Sequence, residues 1–317
     1  MTELNKDAAA VLALMAAAEQ PPLEALEPAD ARKALNEAIG AMKGEPMAVA
    51  KVEDLSADGA SGPIPLRSYR PPVPASDELP LIVYFHGGGF VLGNLDDYDN
   101  LCRRLCVAAR SIVVSVDYRL APEHPFPAAV DDSVAATRWV TQNRDKVGNP
   151  SGPLCLAGDS AGANLATVVA HLLREDPAVT VSHQLLFYPV TDLANESPGY
   201  ERRGQDYFLT TSLMRYFRGH YLRDQDDPCD ERVSPLHAQD LSGMPPCTLL
   251  VCGFDPLLEE GLAYAEALRG AGVPVDLHEV EDQIHGFLFM DGAVAQANAL
   301  LDTLGQRVGA ALRESGS

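Results

Sequence analysis

Ser160 stands at the centre of a pentapeptide whose outer residues are both glycines, Gly158-Asp159-Ser160-Ala161-Gly162. The apolar run before it, 154–157, is typical of a buried strand, and the run after it, 164–173, is typical of an apolar helix. A chain that turns directly from strand to helix forms a sharp corner, and only small residues fit two positions on either side of the corner residue. The spacing therefore predicts an alternating strand–helix fold with a nucleophile elbow, in which the Ser160 hydroxyl is presented at a strand end. The alternative is a tight glycine turn whose serine caps the helix.

A second buried-strand run, 81–85, leads into three consecutive glycines in His86-Gly87-Gly88-Gly89-Phe90. Such a run has no side chains to pack, so it is typical of a loop that brings backbone N–H groups close to a ligand. A tetrahedral oxyanion needs donors of this kind at about 3 Å. We predict that the donors are the N–H groups of Gly87, Gly88 and Ala161, and that His86 shapes the loop. A phosphate-binding loop is disfavoured because the run contains no Lys or Arg.

An acid and a base follow in chain order, each on the loop after a predicted strand. Asp255 follows the strand run 247–252, where it fits either a triad acid or the N-cap of a helix that begins at Pro256. The sequence does not choose between these two roles. Of the eight histidines, His285 is the one beside a glycine on a post-strand loop downstream of both Ser160 and Asp255. In a triad, His285 would accept the Ser160 proton and Asp255 would orient the imidazole.

These motifs resemble those of the bacterial hormone-sensitive-lipase-like carboxylesterases. The matching pieces are the triglycine run, the segment 117–128, the elbow pentapeptide, Asp255-Pro256-Leu257 and His285-Gly286-Phe287. They occur in the family's order between residues 80 and 290, and Asp159 resembles the subgroup with Gly-Asp-Ser-Ala-Gly at the elbow. The resemblance implies an α/β-hydrolase fold, with a mostly parallel central sheet of about eight strands, flanking helices and a helical cap.

The predicted organisation is a catalytic domain and a cap. Strands and helices alternate from residue 81 onward, after a predicted hairpin with its turn at 58–63. We predict that residues 46–191 and 240–317 form the catalytic domain and that 192–239 is a cap insertion. The resemblance implies that this insertion and the N-terminal helices of 1–45 wall an acyl pocket. Candidate substrate-binding residues are Phe90, Met214, Phe217 and Phe287.

One further segment, 118–127, contains three prolines together with Arg119 and Glu123. Proline fixes the backbone φ angle, so this composition predicts a rigid loop. We expect an ion pair between Arg119 and Glu123 to brace it, in a structural role.

Composition limits the partners and the location. The 317 residues carry 24 basic and 45 acidic side chains, and the formal net charge of −21 argues against binding to nucleic acid or to an anionic membrane. No apolar run approaches the ~20 residues of a membrane span, and residues 1–7 lack the basic start of a signal peptide. The six cysteines are scattered and are predicted to be reduced thiols, which favours the cytoplasm. We predict no metal and no cofactor, and the chain is compatible with a homodimer.

The function that the resemblance implies is a serine carboxylesterase, acting on small-molecule esters of short to medium chain length through an acyl-enzyme intermediate. An amidase or peptidase on the same triad stays open. A non-enzymatic binder is a further alternative, because plant gibberellin receptors resemble this family, although those receptors lack a complete triad. The acidic composition disfavours an interfacial lipase. The sequence does not identify the natural ester or the enantiopreference.

Overall fold

The computed structural model describes residues 2–74, 79–148 and 152–315. Within these ranges eight strands form one sheet in the order β1-β2-β4-β3-β5-β6-β7-β8. The strands are β1 (Lys51–Gly59), β2 (Gly62–Arg70), β3 (Leu81–Phe85), β4 (Ile112–Val116), β5 (Leu154–Asp159), β6 (Val181–Phe187), β7 (Cys247–Phe254) and β8 (Val275–Ile284). Strands β3 to β8 pair in parallel, whereas β2 is antiparallel to both β1 and β4. The predicted fold class, a mostly parallel sheet of about eight strands, is confirmed.

The predicted hairpin is present, with a tighter turn than expected. Strands β1 and β2 stay paired as far as Gly59 opposite Gly62, so the turn consists of residues 60 and 61 instead of 58–63. Gly62 has a φ of +131°, a conformation that L side chains rarely adopt. A Cβ at Gly59 would lie 2.7 Å from the carbonyl oxygen of Gly62. The two glycines therefore permit the short loop.

Helices cover both faces of the sheet. They are α1 (Lys6–Ala17), α2 (Pro28–Met42), α3 (Asp99–Ala109), α4 (Ala128–Gln142), α5 (Ala161–Leu173), α6 (Pro198–Arg203), α7 (Thr211–Tyr221), α8 (Leu258–Gly270) and α9 (Ala295–Ser315). The step from β3 to β4 and the step from β4 to β5 run in opposite directions along the sheet, so right-handed crossovers place α3 and α4 on opposite faces. Helix α9 packs on α3, and α5 packs on α4. Strands β3, β4 and β5 are buried along their whole length, which explains their continuous apolar sequences.

The order of the strands determines where a site can form. The chain leaves β3 for β4 on one side and returns to β5 on the other, and in such sheets a crevice opens beyond the carboxyl ends of the strands at this switch point. The triglycine loop follows β3 and Ser160 follows β5. Asp255 and His285 follow β7 and β8 at the same edge. The topology thus brings four distant segments together.

Two further segments meet above this edge. The short 3-10 turn Leu23–Ala25 lies between α1 and α2, while α6 and α7 come from the insertion between β6 and β7. The Glu24 carboxylate accepts hydrogen bonds from the hydroxyls of Thr210 and Ser212. The Tyr216 hydroxyl donates to the Leu26 carbonyl at 3.2 Å. The N-terminal segment and the insertion are therefore in direct contact.

The expected ion pair between Arg119 and Glu123 is wrong. The Arg119 guanidinium pairs with Asp132 on α4, with an N–O distance of 2.8 Å, and the Glu123 carboxylate pairs with Arg32 on α2 at 2.6 Å. Asp132 is buried and also accepts the backbone N–H of Arg119 at 3.0 Å, so it outcompetes the half-exposed Glu123 as a partner. The loop is braced by two neighbouring helices instead of by itself.

Candidate active site

The elbow is strained at one residue and crowded on both sides of it. Ser160 has φ 54° and ψ −120°, a conformation that a non-glycine residue rarely adopts. A Cβ at Gly158 would lie 2.3 Å from the carbonyl oxygen of Gly162, and a Cβ at Gly162 would lie 2.0 Å from that of Phe85. Both glycines are therefore required by backbone contacts. The Ser160 side chain makes no capping hydrogen bond to α5, which excludes the alternative of a simple helix cap.

The Ser160 hydroxyl belongs to a linear chain of three side chains. Its Oγ lies 2.9 Å from His285 Nε2, and His285 Nδ1 lies 2.7 Å from Asp255 Oδ2. A carboxylate oxygen only accepts, so Nδ1 carries the imidazole proton and Nε2 is free to accept the serine proton. All three side chains are buried, and Ser160 keeps 8% of its surface exposed. The structure thus brings the three predicted residues together in the predicted order.

Asp255 contacts His285 with one carboxylate oxygen and the backbone with the other, and it is not the N-cap of a helix at Pro256, because α8 begins at Leu258. While Oδ2 accepts from His285, Oδ1 accepts the backbone N–H of Leu257 at 2.9 Å. This second bond fixes the turn before α8, whose N-cap is Leu257 itself. The carboxylate is therefore held in place by the backbone while it orients the imidazole.

The structure of the triglycine loop corrects one of the three predicted oxyanion donors, Gly87. The N–H of Gly87 donates to Asp159 Oδ1 at 2.8 Å and so is already occupied. Gly88 and Gly89 have φ values of +110° and +61°, and within the described part of the chain their N–H groups have no hydrogen-bond acceptor. The N–H of Ala161 opens α5, so it has no acceptor within the helix. The free donors beside Ser160 are thus those of Gly88, Gly89 and Ala161, and Gly87 drops out of the set.

His86 and Asp159 both hydrogen-bond to the backbone of this loop at Gly87. The His86 Nδ1–H donates to the Gly87 carbonyl at 2.7 Å, and its ring stacks on Tyr118 with the centroids 4.4 Å apart. Burial lowers the pKa of His86 to about 4, so the ring is neutral near pH 7. Burial raises the pKa of Asp159 to about 6, against the opposing effect of hydrogen bonds from the Tyr84 hydroxyl and the Gly87 N–H.

Ser160 lines an apolar cleft at the edge of the sheet. Three parts of the chain supply its walls: the N-terminal segment, the loops at the sheet edge, and the insertion with α7. The lining residues are Leu23, Leu35, Gly88, Gly89, Leu92, Tyr98, Asp159, Ser160, Phe208, Leu209, Leu213, Phe217, His285, Gly286 and Phe289.

A family model described as the alpha/beta hydrolase fold matches residues 82–289. The chain belongs to the α/β-hydrolase family. Carboxylic ester hydrolase LipN from Mycobacterium tuberculosis is 44% identical over 263 residues, which are 80% of this chain and 69% of LipN. Ethyl acetate hydrolase from Pseudomonas putida is 36% identical over 305 residues, which are 93% of this chain and 95% of that protein. The crystal structure of an alpha/beta hydrolase enzyme from the metagenome of Lake Arreo has a TM-score of 0.93 and 38% identity, covering 97% of this chain and 98% of the other.

Of the four predicted substrate-binding residues in this α/β-hydrolase, Phe217 lines the cleft and three do not. Phe90 is buried and stacks on Tyr221, with ring centroids 3.9 Å apart. Phe287 is fully buried beside Tyr188. Met214 lies on the other side of α7, where it lines a separate small cleft with Tyr200. Aromatic or apolar character alone does not reveal which side of a helix or loop faces the cleft.

Several residues that line the cleft were not among those predicted from the sequence. Leu23 and Leu35 come from the N-terminal segment, and Phe208, Leu209 and Leu213 precede or begin α7. Helical spacing offers one signal, because Leu213 and Phe217 are four residues apart and so share a helix face. The other positions depend on how distant segments pack.

Within the described ranges of this α/β-hydrolase, no helix is both long enough and apolar enough to cross a membrane. The same residues contain no group of three or more His, Cys, Asp or Glu side chains placed to hold a metal ion.

Proposed function

We propose that this protein is a serine carboxylesterase in which Ser160 is the nucleophile, His285 the general base and Asp255 the residue that orients His285. The observation that carries the proposal is the unbroken hydrogen-bonded chain from Ser160 through His285 to Asp255, with donor–acceptor distances of 2.9 and 2.7 Å. Ser160 lines an apolar cleft and lies next to three backbone N–H groups that have no acceptor among the described residues. The curated relatives named carboxylic ester hydrolase and esterase support the same reaction class.

In the first half of the reaction, His285 Nε2 takes the Ser160 proton while Oγ attacks the ester carbonyl carbon. The resulting oxyanion accepts hydrogen bonds from the N–H groups of Gly88, Gly89 and Ala161. His285 then returns the proton to the alkoxide as the carbon–oxygen bond breaks, so the alcohol leaves and an acyl-Ser160 ester remains. In the second half, water attacks this ester while its proton passes to His285. His285 then returns that proton to Ser160 Oγ as the acyl–oxygen bond breaks, which gives the carboxylic acid and free Ser160.

We propose neutral esters of short to medium chain length as substrates. The walls of the cleft are mainly Leu and Phe side chains, and the described residues that line it include no lysine or arginine, which suits an uncharged ligand. The relative from Pseudomonas putida is named for ethyl acetate, a small neutral ester. Residues 1–45 and 192–239 would act together as the cap, since both contribute walls.

The cytoplasmic location and the homodimer stay predictions. Cell fractionation tests the first and light scattering of the purified protein tests the second. Strand β8 is at the edge of the sheet, and its three exposed residues, Asp276, Glu279 and Glu281, are all acidic. Acidic side chains on an edge strand disfavour pairing between two copies through this strand.

The test is active-site titration with an organophosphonate, followed by mass mapping of the modified residue, alongside turnover of matched p-nitrophenyl esters and p-nitroanilides. We expect stoichiometric modification at Ser160 and hydrolysis of the ester far faster than of the anilide. Turnover of the anilide as fast as that of the ester would indicate an amidase instead of an esterase. Binding of the ester with no turnover, and no modification of Ser160 by the phosphonate, would indicate a non-enzymatic binder.

A further inference from the structure

Asp159 is a buried carboxyl group at the active site that the proposed reaction does not use. It is the last residue of β5, is 1% exposed and lies in the wall of the cleft. Its Oδ1 accepts the Gly87 N–H at 2.8 Å and the Tyr84 hydroxyl at 2.7 Å, and its Oδ2 accepts the Tyr98 hydroxyl at 3.3 Å. It makes no hydrogen bond to His285, whose Nδ1 is taken by Asp255.

The contact with Gly87 is close enough to shape the loop. A Cβ at Gly87 would lie 2.4 Å from Asp159 Oδ2, so the loop approaches the carboxylate more closely than any other residue type allows. The bond to Oδ1 fixes the plane of the peptide between His86 and Gly87, while the next peptide, which carries the Gly88 N–H, is held by the bond from His86 Nδ1 to the Gly87 carbonyl at 2.7 Å. At the far end of the loop, the Phe90 carbonyl accepts the Ala121 N–H at 2.9 Å. Between these two anchors the N–H groups of Gly88 and Gly89 have no acceptor within the described residues.

Glycine gives this loop many accessible conformations, so its N–H groups point in one direction only if the peptides along the loop are held. The Gly88 carbonyl accepts the N–H groups of Val91 and Leu92 at 3.1 and 2.8 Å, and Asp159 holds the first peptide of the loop. A carboxylate holds an N–H more strongly than a neutral acceptor does. We propose that Asp159 is a positioning residue, which orients the N–H groups of Gly88 and Gly89 toward the oxyanion by holding the N–H of Gly87. This inference rests on the proposed function, because it assigns a role only if an oxyanion forms at Ser160.

The surroundings of Asp159 agree with an anchor rather than with a proton carrier. Tyr84 faces it from β3, Tyr98 from the residue before α3, and His285 from the loop after β8. Each tyrosine hydroxyl donates to a carboxylate oxygen, so together with Gly87 they supply three donors to an ionised group. The anchor is thus most complete when Asp159 is deprotonated.

The kinetic test compares Asp159→Ala, which removes the acceptor, with Asp159→Asn, which keeps an oxygen in its place. We expect kcat for a short p-nitrophenyl ester to fall about 10²–10³-fold in D159A, as on loss of an oxyanion donor, with KM within about threefold of wild type. Affinity for a trifluoromethyl ketone, which forms a tetrahedral oxyanion on serine, should fall by the same factor. D159N should keep kcat within about tenfold of wild type.

Asp132→Asn is the matched control. Asp132 is also buried and also accepts one backbone N–H and two side-chain donors, but it belongs to the loop brace at Arg119. We expect kcat within about twofold of wild type in D132N. Equal values of kcat in folded D159A and wild type would overturn the inference. If D159A does not fold, D159N decides: a loss of 10²-fold or more in folded D159N would also overturn it.

A second readout does not depend on turnover. The sequence contains two His-Gly pairs, His86-Gly87 and His285-Gly286, so [13C]carbonyl-His and [15N]Gly labelling selects these two amides by NMR. In wild type, the Gly87 amide proton should lie downfield and titrate with Asp159, whereas in D159N it should not titrate. A Gly87 resonance that is unchanged by D159N would overturn the inference.

Full turnover in Ser160→Ala would instead overturn the proposed function. Full kcat in D159A, with Ser160 still labelled by phosphonate, would overturn the role of Asp159 alone.

Discussion

Ser160 and His285 each depend on the other for their chemistry. A serine hydroxyl is a weak nucleophile unless a base removes its proton, and the 2.9 Å contact with Nε2 places that base in reach. Asp255 contributes differently, since it fixes which nitrogen carries the proton. In the proposed reaction the three residues act as a unit, so we expect that their individual effects on catalysis do not add.

We predict that Ser160→Ala lowers kcat by a factor on the order of 10⁶, that His285→Ala lowers it by a similar factor, and that the double variant loses little more. The reason is that either change removes the activated oxygen. The measurement is kcat for p-nitrophenyl esters in the three variants, with a mass-checked preparation to exclude wild-type contamination. Multiplicative losses in the double variant would contradict a shared role.

The Asp159 carboxyl group should make the free energy of unfolding depend on pH. Its folded-state pKa of about 6 is above the ordinary value of 3.8, so its protonated form is favoured by folding and stability is lost as pH rises through 6. An asparagine side chain does not titrate, so D159N lacks this contribution to the pH dependence of stability. Relative to wild type, the free energy of unfolding of D159N should therefore rise by about 1 kcal/mol between pH 5 and pH 7. Urea unfolding at both pH values measures this, and a difference independent of pH would show that Asp159 does not titrate in this range.

At the scale of elements, helix α2 is tied to the loop that follows the triglycine run. Arg32 donates from Nε to the Val91 carbonyl and from one terminal nitrogen to the Ala121 carbonyl, both at 2.8 Å, and also pairs with Glu123. Because Val91 follows Phe90 directly, this arginine connects the N-terminal segment to the end of the triglycine loop. The helix that walls the cleft thus also stabilises the segment beside the free N–H groups.

We predict that Arg32→Ala lowers the free energy of unfolding by about 2 kcal/mol, because two carbonyls lose a charged donor. Faster cleavage of the N-terminal segment by protease should accompany the loss. Glu123→Gln is the matched control: it weakens the half-exposed ion pair and leaves both carbonyl bonds, so it should cost less than about 1 kcal/mol. Equal losses in the two variants would mean that the ion pair, and not the carbonyl bonds, ties α2 to the loop.

At the scale of the whole molecule, the cleft exists only because three separate parts of the chain enclose it. Leu23 and Leu35 come from the N-terminus, Leu213 and Phe217 from the insertion, and Ser160 from the sheet. An enclosed cleft limits the length of the acyl group it can hold. Each buried methylene contributes about 0.8 kcal/mol until the space is filled, and overpacking then costs roughly 1–3 kcal/mol.

We predict that kcat/KM across p-nitrophenyl esters rises with acyl length to a short or medium optimum and then falls. Leu213→Ala should move this optimum to longer chains, because it removes a wall. Met214→Ala is the matched control, since Met214 is the next residue on α7, is equally buried and faces away from the cleft. Preference for long-chain emulsified esters, with activation at the oil–water interface, would indicate a lipase instead.

The sequence by itself determined the features that follow from local geometry. The glycines around Ser160, the strand runs before each loop and the chain order of Ser160, Asp255 and His285 depend on steric rules within a few residues. Parallel strands then bring their carboxyl ends to one edge, whatever the details of packing. For this reason the α/β fold could be predicted, and the three candidate residues lie where the sequence placed them.

Only the tertiary structure decided which groups meet across long stretches of chain. Gly87 and Asp159 are neighbours because β3 and β5 are adjacent in the sheet, so the loss of the Gly87 N–H to Asp159 has no signal within the triglycine run. The partners of Arg119 and Glu123 come from helices that the loop sequence does not contain. The side of α7 that faces the cleft, with Phe217 and not Met214, depends on where the insertion packs over the sheet edge. Contacts of this kind are determined by the packing of the folded chain, which no single segment encodes.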